Sequence, residues 1–251
     1  MNAIQISVTA FACTFGGALL GIFLRRVLPK EHLSTNSNTT IKLAMGLVIT
    51  MTGIVLGMLV SAARNSYNAR YDDLITTSAD IIMLDRLLVN YGPEAQGARS
   101  ELRSAVQSSL ASVWGDASSM RVELEPSQQV EGVYDKVLAL SAKTPEQNIA
   151  KTQAVSLATQ LIRTRWLLLI GSQPDSISTP LLVMVMSWLT AIFVSFGLFA
   201  PANPTVLSTF LVSAIAVSTA TFLIVQMSNP YRGILKLPAT PIRAAFAQLG
   251  K

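Results

Sequence analysis

The fold is decided by 21 consecutive residues without a charge, Leu43-Ala-Met-Gly-Leu-Val-Ile-Thr-Met-Thr-Gly-Ile-Val-Leu-Gly-Met-Leu-Val-Ser-Ala-Ala63. A helix needs about 20 mainly apolar residues to cross the roughly 30 Å hydrocarbon core of a bilayer. The length of the stretch therefore predicts a transmembrane helix.

Outward from this stretch, two other regions lack acidic and basic residues, residues 1–24 and 176–231. The first is long enough for one span, and the second, interrupted by the turn Pro201-Ala-Asn-Pro204, is long enough for two. Only 13% of the 251 residues are charged, about half the share that is usual in soluble domains. We predict four spans, at about residues 6–24, 41–63, 181–199 and 206–227.

The region between the second and third spans has a different composition. Acids and bases are interspersed from Arg64 to Asp175, and apolar residues recur at helical spacing. We therefore predict an all-α integral membrane protein with a helical soluble domain inserted between spans two and three. The expected parts are a transmembrane hairpin at 1–63, the helical domain at 64–177, a second hairpin at 178–228 and a basic tail at 229–251.

Local signals predict the helices of that domain. No helix breaker follows span two before Tyr91-Gly92-Pro93, so span two is expected to continue out of the bilayer as one long helix. Further helices are expected at about 93–114, 130–142 and 144–171, where Thr144 would cap the last one.

Basic residues lie mainly beside the spans, where they meet lipid head groups or set the topology, so we expect no nucleic-acid partner. Four spans place both termini and the inserted domain on one side of the membrane. The larger share of basic residues on that side predicts that it is cytoplasmic.

The sequence lacks the residues on which common catalytic sites depend. His32 is the only histidine and Cys13 the only cysteine, so the chain offers no histidine-based triad and no cysteine or histidine metal cluster. We expect no enzyme activity, no cofactor and no bound metal. His32 is expected to be an exposed interfacial residue, with pH sensing as the open alternative.

Four acids after span two, Asp72, Asp73, Asp80 and Asp85, suggest either a metal site or a salt-bridged helix surface. No two of them are three or four residues apart, the separation that makes neighbours on one helix face. Arg70 and Arg86 stand near them in sequence, which favours the salt-bridged surface.

Span two has a stripe of small residues and, beside it, a stripe of bulky ones. Separations of three or four residues put each set on one side of the helix. The small stripe predicts either close helix packing or a pore lining, and the sequence alone favours packing. The small residues are Gly46, Thr50, Gly53, Gly57 and Ser61, and the bulky ones are Leu47, Met51, Val55 and Met58.

Several motifs resemble the bacterial bestrophin-like family. They are Arg25-Arg-Val-Leu-Pro-Lys-Glu-His-Leu33, span two itself, Leu84-Asp-Arg-Leu-Leu-Val-Asn-Tyr-Gly-Pro-Glu94, and the tail motif formed by Asn229, Pro230, Tyr231, Arg232 and Gly233. The chain departs from the family after span four, where Gln226 and Ser228 stand in place of acids. More distantly, the four-span layout is similar to that of bestrophin anion channels.

The resemblance implies a homo-oligomeric, anion-permeable ion channel in a bacterial inner membrane, with span two lining the pore. Its expected partners are the lipid bilayer, copies of the same chain and inorganic ions such as chloride. On this hypothesis Met51, Val55 and Met58 form an apolar gate, and Arg64 and Arg70 a basic pore mouth. The bestrophin calcium clasp is not recognisable. The alternative is a non-conducting membrane scaffold or sensor whose helical domain recruits a partner.

Overall fold

The computed structural model describes residues 3–29, 35–115, 128–171, 179–228 and 234–250. The described residues form eight α-helices, with a 3₁₀ turn at Pro93–Ala95 before the third. In chain order the helices are α1 (Ala3–Val27), α2 (Thr35–Tyr91), α3 (Gln96–Trp114), α4 (Gln128–Leu138), α5 (Pro145–Gly171), α6 (Thr179–Phe199), α7 (Pro204–Met227) and α8 (Thr240–Gln248).

Four of these helices are long and apolar enough to cross a membrane, which confirms the predicted all-α membrane protein with four spans. The four segments are Ala3–Val27, Thr39–Tyr91, Pro180–Phe199 and Pro204–Met227. The second has 53 residues. At 1.5 Å per residue it is about 80 Å long, more than twice the hydrocarbon thickness.

The chain divides into two compact units, with the boundary inside α2. The membrane unit comprises Met1–Asn68 and Pro174–Lys236, and it contains three of the apolar segments whole and the second as far as Asn68. The second unit comprises Ala69–Gln173 and Leu237–Lys251.

Helices α1 and α6 of the membrane unit approach each other closely. A Cβ atom built on Gly21 would lie 2.2 Å from the carbonyl oxygen of Val194, and one built on Gly197 would lie 2.1 Å from that of Ala18. The two backbones therefore touch, as small residues permit in membrane helices. Along α1 the buried side consists of small or hydroxyl-bearing residues: Ser7, Ala10, Thr14, Gly17, Ala18 and Gly21.

Helix α7 packs on the same pair of helices. The hydroxyl group of Ser218 donates a hydrogen bond of 2.7 Å to the carbonyl oxygen of Ser7 on α1. The rings of Phe193 on α6 and Phe210 on α7 have centroids 6.4 Å apart. The hydroxyl groups of four other α7 residues donate to carbonyls of their own helix: Ser208, Thr209, Thr219 and Thr221. The hydroxyl group of Thr221 also lies 3.9 Å from the sulfur of Met186 on α6, so Ser218 and Thr221 both link α7 to another helix.

One side-chain cap and an arginine at the end of α1 stabilise the α6–α7 turn. The side chain of Asn203 accepts a 2.8 Å hydrogen bond from the backbone N–H of Val206, and Pro204 occupies the first turn of α7. The guanidinium group of Arg25, in the last turn of α1, donates to the carbonyl oxygen of Ala200, just beyond α6. Cations are favourable at helix C-termini, where carbonyl groups lack partners.

The second unit has a core of fully buried aliphatic side chains such as Leu84, Leu88 and Val137. Helix α2 ends at Tyr91, where Gly92 has a φ of 119°, a conformation that favours glycine. The hydroxyl oxygen of Thr144 accepts the backbone N–H of Gln147 at 3.2 Å, which is the cap predicted for α5.

One ion pair is largely buried in this unit. The Nε of Arg99 on α3 donates to one carboxylate oxygen of Asp85 at 2.8 Å, and its Nη2 donates to the other at 3.2 Å. The side chain of Asp85 is 5% exposed and that of Arg99 is 19% exposed. The hydrogen bond to Asp85 raises the pKa of the Arg99 guanidinium group. Asp85 is therefore salt-bridged, the alternative favoured for these acids, but it is buried and its partner comes from another helix.

The C-terminal residues, expected only as a basic tail, include a helix that packs on α3. The indole N–H of Trp114 donates to the carbonyl oxygen of Leu237 at 2.8 Å, and Arg103 donates to that of Leu249 at 2.9 Å. The Arg103 guanidinium group also lies 5.2 Å from the ring centroid of Phe246. Apolar burial of Ile242 and Ala245 accompanies these polar contacts.

Substituting Gly21 by alanine is expected to destabilise the membrane unit, because the new methyl group would overlap the α6 backbone. Overpacking of this kind costs about 1–3 kcal/mol. Thermal unfolding in detergent, followed by the loss of the monodisperse chromatographic peak, measures the effect. Gly16→Ala is the matched control on the same helix, since its Cβ would meet no atom within 4 Å. Equal stability of the two variants would contradict the backbone contact.

Substituting Asp85 by alanine is expected to destabilise the second unit by about 3 kcal/mol, because Arg99 would keep a partly buried charge without its partner. Hydrogen exchange of the α3 amides in the full-length protein should accelerate. Asp72→Ala, at an exposed position of the same helix, is the control and should leave the α3 amides unchanged. Unchanged α3 protection in the Asp85 variant would show that the ion pair contributes little.

Candidate pore-lining face of α2

The small stripe of α2 is uncovered within the chain. Its five residues are exposed: Gly46, Thr50, Gly53, Gly57 and Ser61. A Cβ atom built on any of the three glycines would meet no described atom within 4 Å. No helix in the described part of this chain therefore packs closely against the stripe, and the close packing of small residues occurs at Gly21 and Gly197 instead.

The opposite side of α2 packs against α6 and α7. Leu59 and Ala63 form a buried cluster with Val185, Leu189 and Ile224. In the most apolar window of α2, 11% of the residues are buried in the chain, against 28% to 33% in the other three spans. Because consecutive residues of a helix are rotated by about 100°, this packing turns the small stripe away from the bundle.

The bulky stripe is divided between the two sides. Leu47, Met51 and Met58 are exposed by 69%, 51% and 68%, whereas Val55 is partly buried against the cluster around Leu59. The structure therefore does not place the three predicted gate residues in one environment. Ile54, which is not part of the bulky stripe predicted from the sequence, is 57% exposed.

The exposed face is apolar and weakly polar but uncharged. The hydroxyl group of Thr50 donates to the carbonyl oxygen of Gly46 at 2.9 Å, so its hydrogen is used inside the helix. Its oxygen keeps acceptor capacity towards water. Since residues 43–63 hold no ionisable group, charge can act on an ion only at the ends of this segment.

The two arginines predicted as a pore mouth differ in environment. Arg64 is exposed and Arg70 is partly buried. They are six residues apart on one continuous helix, which places them about 120° apart around its axis. The structure thus puts only Arg64 on the exposed side that the small stripe occupies.

Other predicted residues contribute less. Cys13 is exposed on α1. Among the described residues no three histidine, cysteine, aspartate or glutamate side chains are grouped as metal ligands. Asp80 accepts a 3.1 Å hydrogen bond from the side chain of Gln160. His32 and the tail motif from Asn229 to Gly233 lie outside the described residues.

A groove between α2 and α6 was not foreseen from the sequence. It has a volume of about 560 Å³ and is open to its surroundings. Its lining is almost entirely apolar and consists of Ile41, Met45, Ser187, Thr190, Ala191, Val194, Ser195 and Leu198. Three of its α6 residues, Thr190, Val194 and Leu198, also lie beside Gly17 or Gly21 of α1, so the groove borders the packed side of α6.

Comparison with known proteins agrees with the four-span layout. The model of the Bestrophin-like domain matches residues 12–242, which include all of α2 and most of the other three spans. No curated protein and no solved structure matches the chain. The match covers far more than half of the chain and includes the candidate face of α2. The chain therefore belongs to the Bestrophin-like family.

Proposed function

We propose that the protein is a homo-oligomeric ion channel in which the uncovered face of α2 lines a central pore. The observation that supports this most is that the chain leaves the small, uncharged face of α2 without a helix partner, although α1, α6 and α7 pack on one another. Small residues are typical of surfaces that other helices or water approach closely, rather than of lipid-facing surfaces. Membership of the Bestrophin-like family supports the same function.

Gating in this proposal depends on the bulky residues of the exposed face. Met51 and Met58 are seven residues apart, so they lie on the same side of the helix and one above the other. A ring of such side chains from several copies would exclude water and close the pore by dewetting. Val55 supports the helix from the packed side rather than forming the gate.

Selectivity would arise at the end of the span. Arg64 follows the last apolar residue of the uncharged stretch and is exposed. A ring of arginine side chains concentrates anions at a pore mouth, so we propose anion permeation, with chloride as the most available ion. The role is transport rather than catalysis.

For topology, we propose that the second unit is inserted between spans two and three and faces the cytoplasm, as do both termini. The membrane would be the bacterial inner membrane. Basic residues within 20 residues of the spans, such as Arg64, Arg70 and Arg163, support this orientation.

A scaffold or sensor is the second candidate, and one observation favours it. The second unit exposes Ile75 by 44% and Met83 by 61% on α2, eight residues apart and therefore on one helix side. A partner protein could bind there.

Single-particle microscopy of the detergent-purified protein separates the two functions. A ring with α2 around an axial hole favours the channel, and a monomer or dimer without an axial path favours the scaffold.

Arg64→Gln is expected to lower the chloride-to-sodium permeability ratio of the reconstituted channel, because it removes the positive charge nearest the pore. The reversal potential in a sodium chloride gradient measures the ratio. Arg70→Gln removes the same charge from the other side of the helix and should change the ratio much less. An identical shift in the two variants, or none in either, would contradict the assignment to Arg64.

Met58→Ser is expected to raise the open probability or the conductance, because a polar side chain removes part of the apolar barrier. Single-channel recording measures both quantities. Val55→Ala is the control: it should reduce thermal stability through lost packing, by about 1 kcal/mol, and leave conductance close to that of the parent protein. A larger conductance change in the Val55 variant would place the constriction elsewhere.

A further inference from the structure

The exposed side of α5 changes character near its C-terminal end. Thr152, Ser156, Thr159 and Arg163 follow one another at separations of four, three and four residues, and all are exposed and polar. The next position on that side is Trp166, which is 44% exposed, and it is followed by Leu167, which is 57% exposed. A polar helix side thus becomes apolar within a single turn.

Chain order indicates what covers these two side chains. The sequence continues with Leu168-Leu169-Ile170-Gly171, and only residues 172–178 separate the end of α5 from Thr179, where the membrane-spanning helix α6 begins. Tryptophan is enriched where protein meets the membrane–water interface, because its ring is apolar and its N–H is a hydrogen-bond donor. A bilayer surface fits this combination of position and composition.

The charge beside the apolar pair fits the same partner. Arg163 lies one turn before Trp166 on the same side and is exposed, so its guanidinium group can reach lipid phosphate while its stem lies along apolar surface. Arg165 is partly buried, and this burial lowers the pKa of its guanidinium group, while the charge of Glu131 acts in the opposite direction. Arg163 is therefore the better phosphate partner of the two.

We propose that the end of α5 is a lipid-contact site at which Trp166 and Leu167 enter the interfacial layer of the bilayer and Arg163 binds the phosphate of an anionic phospholipid. This interaction surface is independent of conduction. A scaffold would use it as well as a channel, so its failure would leave the proposed function standing.

Spin labelling tests the apolar part. Cys13 is the only cysteine, so a Cys13→Ala background accepts single labels through Trp166→Cys or Leu167→Cys in the full-length protein. In nanodiscs, power saturation should show oxygen collisions exceeding those of a water-soluble nickel chelate at both positions. Thr159→Cys, two turns earlier on the same side, is the matched control and should show the reverse order.

Two outcomes would overturn the proposal. If the chelate collides with labels 166 and 167 as often as with label 159, the site lies in water. If neither oxygen nor the chelate reaches them, protein covers the site, either a second copy or another partner.

Brominated lipids test the role of Arg163. The fluorescence of Trp166 is obtained as the difference between the parent protein and Trp166→Phe, and its quenching is compared between nanodiscs with brominated phosphatidylglycerol and those with brominated phosphatidylcholine. Arg163→Gln should reduce the preference for the anionic lipid about fivefold, the equivalent of one surface arginine. Arg86→Gln, an exposed site on α2, should leave it unchanged. Equal loss in both variants, or loss in neither, would reject a specific phosphate contact.

Discussion

Direct contact of helix backbones at small residues holds the membrane unit together. In lipid, packing two leucine surfaces gains little over leaving them in contact with acyl chains, so association depends on close approach and on hydrogen bonds between helices. The crossing of α1 and α6 at Gly21 and Gly197 provides the first, and the bond from Ser218 to Ser7 provides the second. Both fix α7 and α6 on α1 and leave α2 attached along one side.

Because α2 is attached along one side, its two sides differ in composition and exposure. Its packed side carries Leu59 and Ala63, while its other side combines glycines, a threonine and exposed methionines without a charge. A surface of this kind is suited to contact with copies of the same chain or with water, and the proposed pore uses both. Arg64 lies at the end of the exposed side, and the proposal assigns anion selectivity to it.

The second unit depends on burial of aliphatic side chains and on one buried ion pair. Burial of aliphatic side chains around Leu84 and Leu88 contributes most of its stability. The Asp85–Arg99 pair is tolerated in the interior because both carboxylate oxygens are hydrogen-bonded. Residues near the C-terminal end of the chain complete it: the carbonyl oxygens of Leu237 and Leu249 accept hydrogen bonds from side chains of α3. At the end of α5 the exposed surface changes from polar to apolar.

The four spans and the helical nature of the chain can be predicted from local sequence, because bilayer thickness and helix geometry translate directly into runs of about 20 uncharged residues. Local sequence also predicts the Thr144 cap and the end of α2 at Gly92, since both are local effects of a few neighbouring residues. Which small stripe is packed depends on tertiary contacts: those of α1 and α2 are alike in composition, but that of α1 meets α6 and that of α2 meets no described helix of the chain. The partner of Asp85, the docking of α8 and the different environment of Val55 were likewise decided by contacts between residues distant in sequence, which local spacing does not encode.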